Sequence, residues 1–333
     1  MSKVGSREAE LDTFLKAAGW GHAKRQALPG DASFRRYHRL KDGSRRALAM
    51  DAPPPKEDVR PFLTIARHLR GLGLSAPAIY AEDVRHGFLL LEDFGDATFT
   101  RLLAQGGDER ALYEMALDTL VALHRHPDAI PPGLAPYDDE RLLAEAALLP
   151  DWYMPEILGR PTPDAVRTDY LARWRALFPL ARAVPETLVL RDYHVDNLMR
   201  IEGRAGLAAC GLLDFQDAVV GPVTYDLMSL IEDARRDIDP ELARHLRARY
   251  RQAFPALDPQ AFDASMAILG AQRHCKVIGI FTRLMRRDGK QGYLVHIPRL
   301  WRLLDQALAH PALAPIADWL ARHLPPDQRD RPG

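Results

Sequence analysis

The sequence is poor in cysteine. Only Cys210 and Cys275 occur, too few for a disulfide framework and without the CxxC spacing of a thiolate metal site, so a reducing compartment, the cytoplasm, is expected. Charge of one sign is lacking too: 45 basic side chains cancel 45 acidic ones. No long block of either sign occurs, and nothing in bulk electrostatics calls for nucleic acid or an anionic membrane as a partner. There is no apolar signal core near the N-terminus and no run of about 18 uncharged apolar residues, so no membrane association is expected. Internal repeats and low-complexity tracts are also missing. What remains is a chain of 333 residues, 47% of them hydrophobic, which can bury a sizeable core in one large domain or two lobes.

Leu11, Phe14, Leu15 and Ala18 recur at helical spacing before Gly19, which predicts a short leading helix over residues 8–18. Residues 27–40 and 45–51 read as strands joined by the turn Lys41-Asp42-Gly43, with Gly30 and Asp31 breaking the first. After Pro53-Pro54-Pro55, the residues Val59, Phe62, Leu63, Ala66 and Leu69 mark a helix that ends at Gly71 to Gly73, and 78–81 and 87–91 read as two more strands. From Thr100 onward helical patterns dominate, at 112–124, 138–149, 165–180, 240–253 and 262–285. This shift divides the chain into a strand-rich lobe, 1–94, and a helical lobe, 95–333, an α+β architecture. The helical part is broken by one β island, with short strands at 188–190, 198–201 and 207–215.

That island carries the residues on which chemistry can be built. Leu190-Arg191-Asp192-Tyr193-His194-Val195-Asp196-Asn197 is followed by a hairpin and then by Leu212-Leu213-Asp214-Phe215. Phosphoryl transfer needs a carboxylate to orient the attacking hydroxyl and accept its proton, and oxygen ligands to hold magnesium against the phosphates. Asp192 suits the first role and Asn197 with Asp214 the second, because Mg2+ prefers hard oxygen donors and keeps several waters. An Asp and an Asn five apart are common by chance. The order of strand, loop, Asn, strand, turn, strand and Asp-Phe is what makes the pattern specific.

Those motifs resemble the catalytic and metal loops of the aminoglycoside phosphotransferase and choline kinase superfamily, related to protein kinases. The resemblance covers nearly the whole chain and implies a bilobal protein-kinase-like fold that uses ATP and Mg2+. His194 matches a histidine of the family's catalytic loop. By analogy Asp226, in Gly221-Pro222-Val223-Thr224-Tyr225-Asp226-Leu227, braces that loop, although a simple helix N-terminal carboxylate fits the sequence equally well. Asp217 reads either as an aid to the metal or as a solvated turn residue. In the strand-rich lobe the resemblance sets Gly30, Asp31, Ser33, Arg35 and Arg36 over the ATP phosphates, and Glu92 and Phe94 at the adenine, where backbone groups would make the contacts. From the first of these segments alone, an ordinary hairpin turn with exposed arginines is the simpler reading. One departure stands out: Met50 occupies the place of the lysine expected in the third strand, so that either Arg35, Arg36 or Arg46 supplies the charge or none from that strand is used.

The path from Asp214 through Gly221 to the next helix is too short for a peptide-positioning activation segment, which favours a small acceptor. The segments Gly30-Asp31-Ala32-Ser33-Phe34-Arg35-Arg36-Tyr37, Met50-Asp51-Ala52-Pro53-Pro54 and Leu91-Glu92-Asp93-Phe94-Gly95, with the two loops above, resemble one bacterial subgroup more specifically. Its activity is phosphorylation of N-acetylmuramate and N-acetylglucosamine at the anomeric hydroxyl in cell-wall recycling, and Met50 is then a subgroup trait. Such a sugar wants an aromatic platform, polar groups for its hydroxyls and a cation for the lactyl carboxylate. His194, Glu145, Trp152, Tyr153 and Arg273 are the candidates, with Arg283 and Lys290 behind them and a helix surface or core role as the competing reading for each. His124 reads as a packed histidine. A monomer is expected. The alternatives are an aminoglycoside or choline kinase, and a nucleotide-binding pseudokinase suggested by Met50.

Overall fold

The computed structural model describes residues 3–29 and 33–329. In chain order the elements are α1 (Lys3–Ala17), β1 (Lys24–Ala27), β2 (Arg36–Asp42), β3 (Arg45–Asp51), α2 (Arg60–Gly71), β4 (Ile79–Asp83), β5 (Phe88–Leu91), α3 (Phe99–Ala104), α4 (Glu109–Arg125) and α5 (Asp139–Ala146). There follow a π-helical turn, α6 (Met154–Leu158), α7 (Asp164–Ala181), β6 (Glu186–Val189), β7 (Leu198–Arg200), β8 (Cys210–Leu212), β9 (Val219–Pro222) and α8 (Thr224–Ile231). The chain closes with α9 (Pro240–Ala253), α10 (Pro259–Asp288), α11 (Ile297–Leu308) and α12 (Ala314–His323). It groups into two compact units, Met1–Thr119 with Val195–Ala218, and Leu120–His194 with Val219–Gly333.

The first unit is built on a five-stranded antiparallel sheet of order β1-β2-β3-β5-β4. Leu11, Leu15 and Trp20 are buried against Leu40, Ala47, Ala49, Phe88 and Leu90, so α1 covers one face. In α2 the residues Phe62, Leu63, Ile65, Ala66 and Leu69 are all buried, an apolar stripe at helical spacing, and proline stands in its first turn where a missing N–H costs nothing. The hairpin β7–β8 belongs to this unit: the Leu212 N–H donates to Ser75 O at 2.8 Å, and Thr98 bridges Met199. The change of sequence pattern at residue 94 therefore marks where helices come to dominate, whereas packing keeps 95–119 and 195–218 with the strand-rich part.

The second unit is helical around α10, whose side chains are buried along most of its length. The Asp258 carboxylate caps its first turn by accepting from Ala261 N at 2.8 Å, and Gly289, at φ 68°, ends it. The single β island read from sequence is two separate sheets: β6 pairs with β9, and β7 with β8. Among the described residues no helix is long and apolar enough to cross a membrane.

Candidate active site

In the second unit the loop after β6 carries Asp192. Its first residues are fixed from behind by Asp226 in the opening turn of α8, whose Oδ2 and Oδ1 accept from the backbone N–H groups of Leu190 and Arg191 at 2.6 and 2.9 Å. Two such bonds favour the carboxylate, but full burial prevails and pushes its pKa up to about 7. Arg191 and Asp214 are the only non-glycine residues with positive φ among the described ones, at 70° and 57°. Backbone strain of this kind persists where surroundings over-determine it, and it marks both loops as candidates for function.

The Arg191 side chain pairs with Glu145, which also binds Lys276 Nζ at 3.0 Å, the Tyr137 hydroxyl and, at 3.4 Å, Gln272 Nε2. Glu145 is thus committed to a buried network. Burial would raise its pKa, and Lys276, Arg191 and the Tyr137 hydroxyl hold it below its ordinary value. Asp192, partly buried, is likewise held below its ordinary value: desolvation acts upward and is outweighed by Lys276, His194, Arg273 and Arg191. Burial pulls the pKa of His194 itself below the ordinary imidazole value. Arg273 is only 3% exposed, and its Nη1 is buried with no hydrogen-bond partner among the described residues. Lys276 and Gln272 escaped the sequence reading. The signal was there, since Gln272 and Lys276 flank Arg273 and His274 in the middle of a buried helix, and a buried helix face excludes such groups unless they are partnered.

Of the other residues expected at the sugar, Trp152 is half-buried in the π-helical turn, and Tyr153 is a core strut. The Tyr153 hydroxyl donates to Arg329 O at 2.6 Å and accepts from Trp301 Nε1 at 3.0 Å. His124 is packed, its Nδ1 2.7 Å from the Tyr250 hydroxyl.

In the first unit Asn197 ends the 3-10 turn Val195–Asn197, and its carbonyl accepts from Leu213 N at 2.9 Å, which ties it to the residue before Asp214. Phe215 is buried and stacks on Phe62 of α2, centroids 5.0 Å apart, so α2 sets the height of the Asp214 loop. Gln216 Nε2 donates to Asp214 Oδ1 at 2.9 Å, and Arg35 Nη1 stands 3.6 Å from the same oxygen. An amide oxygen and a carboxylate fit Mg2+, which needs few protein ligands. Among the described residues no three His, Cys, Asp or Glu side chains gather as a metal cage. Asp217 is exposed in the following turn.

Gly30 and Asp31 lie outside the described residues. Ser33 is exposed, and its hydroxyl accepts from Arg35 N at 3.3 Å, a local turn bond; Arg36 and Arg46 are exposed. The Glu92 carboxylate binds Arg204 and accepts from Ala78 N at 3.2 Å, while its own N–H donates to Ala78 O at 2.8 Å. Phe94 lies on Gly211, where a Cβ would stand 2.8 Å from the ring, so any side chain there would have to displace it.

Comparison with known proteins places this geometry in context. The model of the phosphotransferase enzyme family matches residues 24–260. An N-acetylmuramate/N-acetylglucosamine kinase from Pseudomonas aeruginosa is 41% identical over 93% of this chain and 93% of that protein. Another of that name, from Caulobacter vibrioides, is 36% identical over 99% and 100%. A choline kinase structure from Streptococcus pneumoniae, 12% identical, superposes with a TM-score of 0.64 over 90% of this chain and 99% of that one, which shows the fold.

Proposed function

The chain belongs to the phosphotransferase enzyme family, and on that premise we propose that it transfers the γ-phosphoryl group of ATP to the anomeric hydroxyl of N-acetylmuramate and N-acetylglucosamine. The observation that carries the substrate is the match, at 36% and 41% identity and almost end to end, to two bacterial kinases of those sugars.

In this reading Asp192 orients the anomeric hydroxyl and accepts its proton as the oxygen bonds to the γ-phosphorus and the bond to the β-phosphate oxygen of ADP breaks. Held below its ordinary value, Asp192 is a carboxylate at neutral pH, the form that can orient the hydroxyl. Asn197 and Asp214 would hold Mg2+, which when bound neutralises charge on the phosphates. Asp226 keeps the loop in place through two backbone amides, and the Glu145, Arg191 and Lys276 network fixes its flank. Arg273, cationic and unpartnered at Nη1, suits the lactyl carboxylate that distinguishes N-acetylmuramate.

Met50 favours a second reading, a nucleotide binder without turnover, and one experiment separates the two. ADP release is followed over a panel of N-acetylmuramate, N-acetylglucosamine, choline and aminoglycosides, with wild type and Asp192→Asn. The expected result is Mg2+-dependent turnover of the two amino sugars alone. Asp192→Asn should lose several orders of magnitude in rate while binding ATP as before. Folded wild-type protein that turns over neither sugar would sink the assignment.

A further inference from the structure

A third strand without its lysine leaves one positive charge to be supplied at the nucleotide phosphates. Met50 is buried in β3, and the antiparallel register sets Tyr37 of β2 directly opposite. Cross-strand partners project from the same face, and alternation along the chain brings Arg35, two residues before Tyr37, toward that face as well. It is the face away from α1, which packs on Leu40, Ala47 and Ala49.

Arg35 does not hang in solvent there. Its side chain is only 14% exposed, and the Tyr37 hydroxyl is among the groups close enough to act on its charge. Its Nε lies 3.4 Å from Glu57 Oε2 and its Nη1 3.6 Å from Asp214 Oδ1. Glu57 stands just ahead of α2, and its other oxygen accepts from Phe34 N at 3.0 Å, which anchors the loop around Arg35. The arrangement reproduces, with other residues, the pair on which kinase phosphate binding rests, a strand lysine held by a helix glutamate. Arg36 and Arg46 do not compete: Arg36 has the opposite parity, and Arg46 is exposed opposite Lys41, four residues from Met50 and so about 13 Å along the strand.

We propose that Arg35 stands in for the lysine absent at Met50: with one edge of its guanidinium on Glu57, it presents the other to the β- and γ-phosphates of ATP beside Asp214. The planar fork of five donors suits this double duty better than an ammonium would, because carboxylate and phosphate can be held at once. The proposal rests on the kinase reading above.

The test is equilibrium displacement of a fluorescent adenine nucleotide from the full chain by Mg2+ with a non-hydrolysable ATP analogue, and separately by adenosine. It is made on wild type, Arg35→Gln, Arg35→Lys, Glu57→Gln and Arg46→Gln. Arg35→Gln should weaken the triphosphate tenfold or more with adenosine within twofold of wild type, Arg35→Lys should recover most of the loss, and Arg46→Gln should change neither. If Arg35→Gln does not fold, Glu57→Gln gives the same reading, with the triphosphate weakened and adenosine unaffected. The proposal is overturned if the triphosphate stays within twofold in Arg35→Gln, if adenosine falls in parallel, or if Arg46→Gln loses as much. Wild type that binds no nucleotide at all overturns the kinase reading as well.

Discussion

At the scale of single residues, the side chains that matter are those whose buried charge is left open. Most buried charges here are closed: Glu145 has Arg191, Lys276 and Tyr137, and Asp226 has two amides. Arg273 is one that is left open, because a guanidinium whose Nη1 is buried with no hydrogen-bond partner among the described residues costs free energy unless something else completes it. If that something is the substrate carboxylate, Arg273→Gln should lower kcat/KM for N-acetylmuramate at least tenfold more than for N-acetylglucosamine, which has no carboxylate. Tenfold corresponds to about 1.4 kcal/mol, the low end for a charge-assisted bond. Arg273 also helps hold Asp192 ionised, so some loss common to both sugars is expected. Only the ratio reports on the carboxylate, and equal losses would exclude this role. Asp192, Asn197 and Asp214 were legible as a motif because their chemistry dictates residue type and order. Lys276 and Gln272 stood out only as polar residues in a buried helix, and their pairing with Glu145, like that of Arg35 with Glu57, was not legible, because pairs 22 to 131 positions apart leave no mark in local spacing.

At the scale of elements, what the sequence showed depended on whether one face of the element was apolar. The stripe of α2 was readable, and the helix is found at Arg60–Gly71. By contrast β1, Lys24–Ala27, precedes the strand read from residue 27, because Lys-Arg-Gln-Ala is an exposed edge with no alternation to detect. β9 was missed because Val219–Pro222 is short and carries glycine and proline, both poor strand formers, yet it pairs fully with β6. The long helix α10 extends beyond the expected 262–285 at both ends, its limits set by the Asp258 cap and by Gly289 rather than by its pattern. Its glycines test how tightly it is packed. A Cβ at Gly279 would stand 2.3 Å from the Leu148 carbonyl oxygen, which is backbone and cannot swing aside, whereas at Gly270 the nearest atom, at 2.7 Å, is the mobile end of Glu232. Gly279→Ala should therefore cost about 1–3 kcal/mol of stability in urea unfolding and Gly270→Ala distinctly less. Equal effects would mean that the turn around Leu148 yields readily.

At the scale of the whole molecule, the net charge of zero hides buried groups that titrate in opposite senses. Burial drives His124 from its ordinary 6.5 to about 3. Between those values the unfolded chain binds the proton and the folded one does not, so this histidine lowers stability as the pH falls, by about 1.4 kcal/mol per pH unit. Asp226 does the reverse: burial lifts it from 3.8 to about 7, so within that window the folded state holds the extra proton. Its contribution is fully present below the lower value and is lost as the pH rises through the upper one. From about pH 4 to 6.5 the two trends oppose each other, and the wild-type stability should vary little on their account. Single substitutions separate them. His124→Gln keeps a polar partner for the Tyr250 hydroxyl but cannot titrate, so the stability difference, wild type minus variant, should fall as the medium is acidified from pH 7 to 4.5. Asp226→Asn loses one of its two acceptors, a cost independent of pH, and its difference from wild type should grow over the same acidification. Urea midpoints at four or five pH values measure both slopes. Curves parallel to wild type for either variant would show that the group in question does not titrate differently in the folded and unfolded chain.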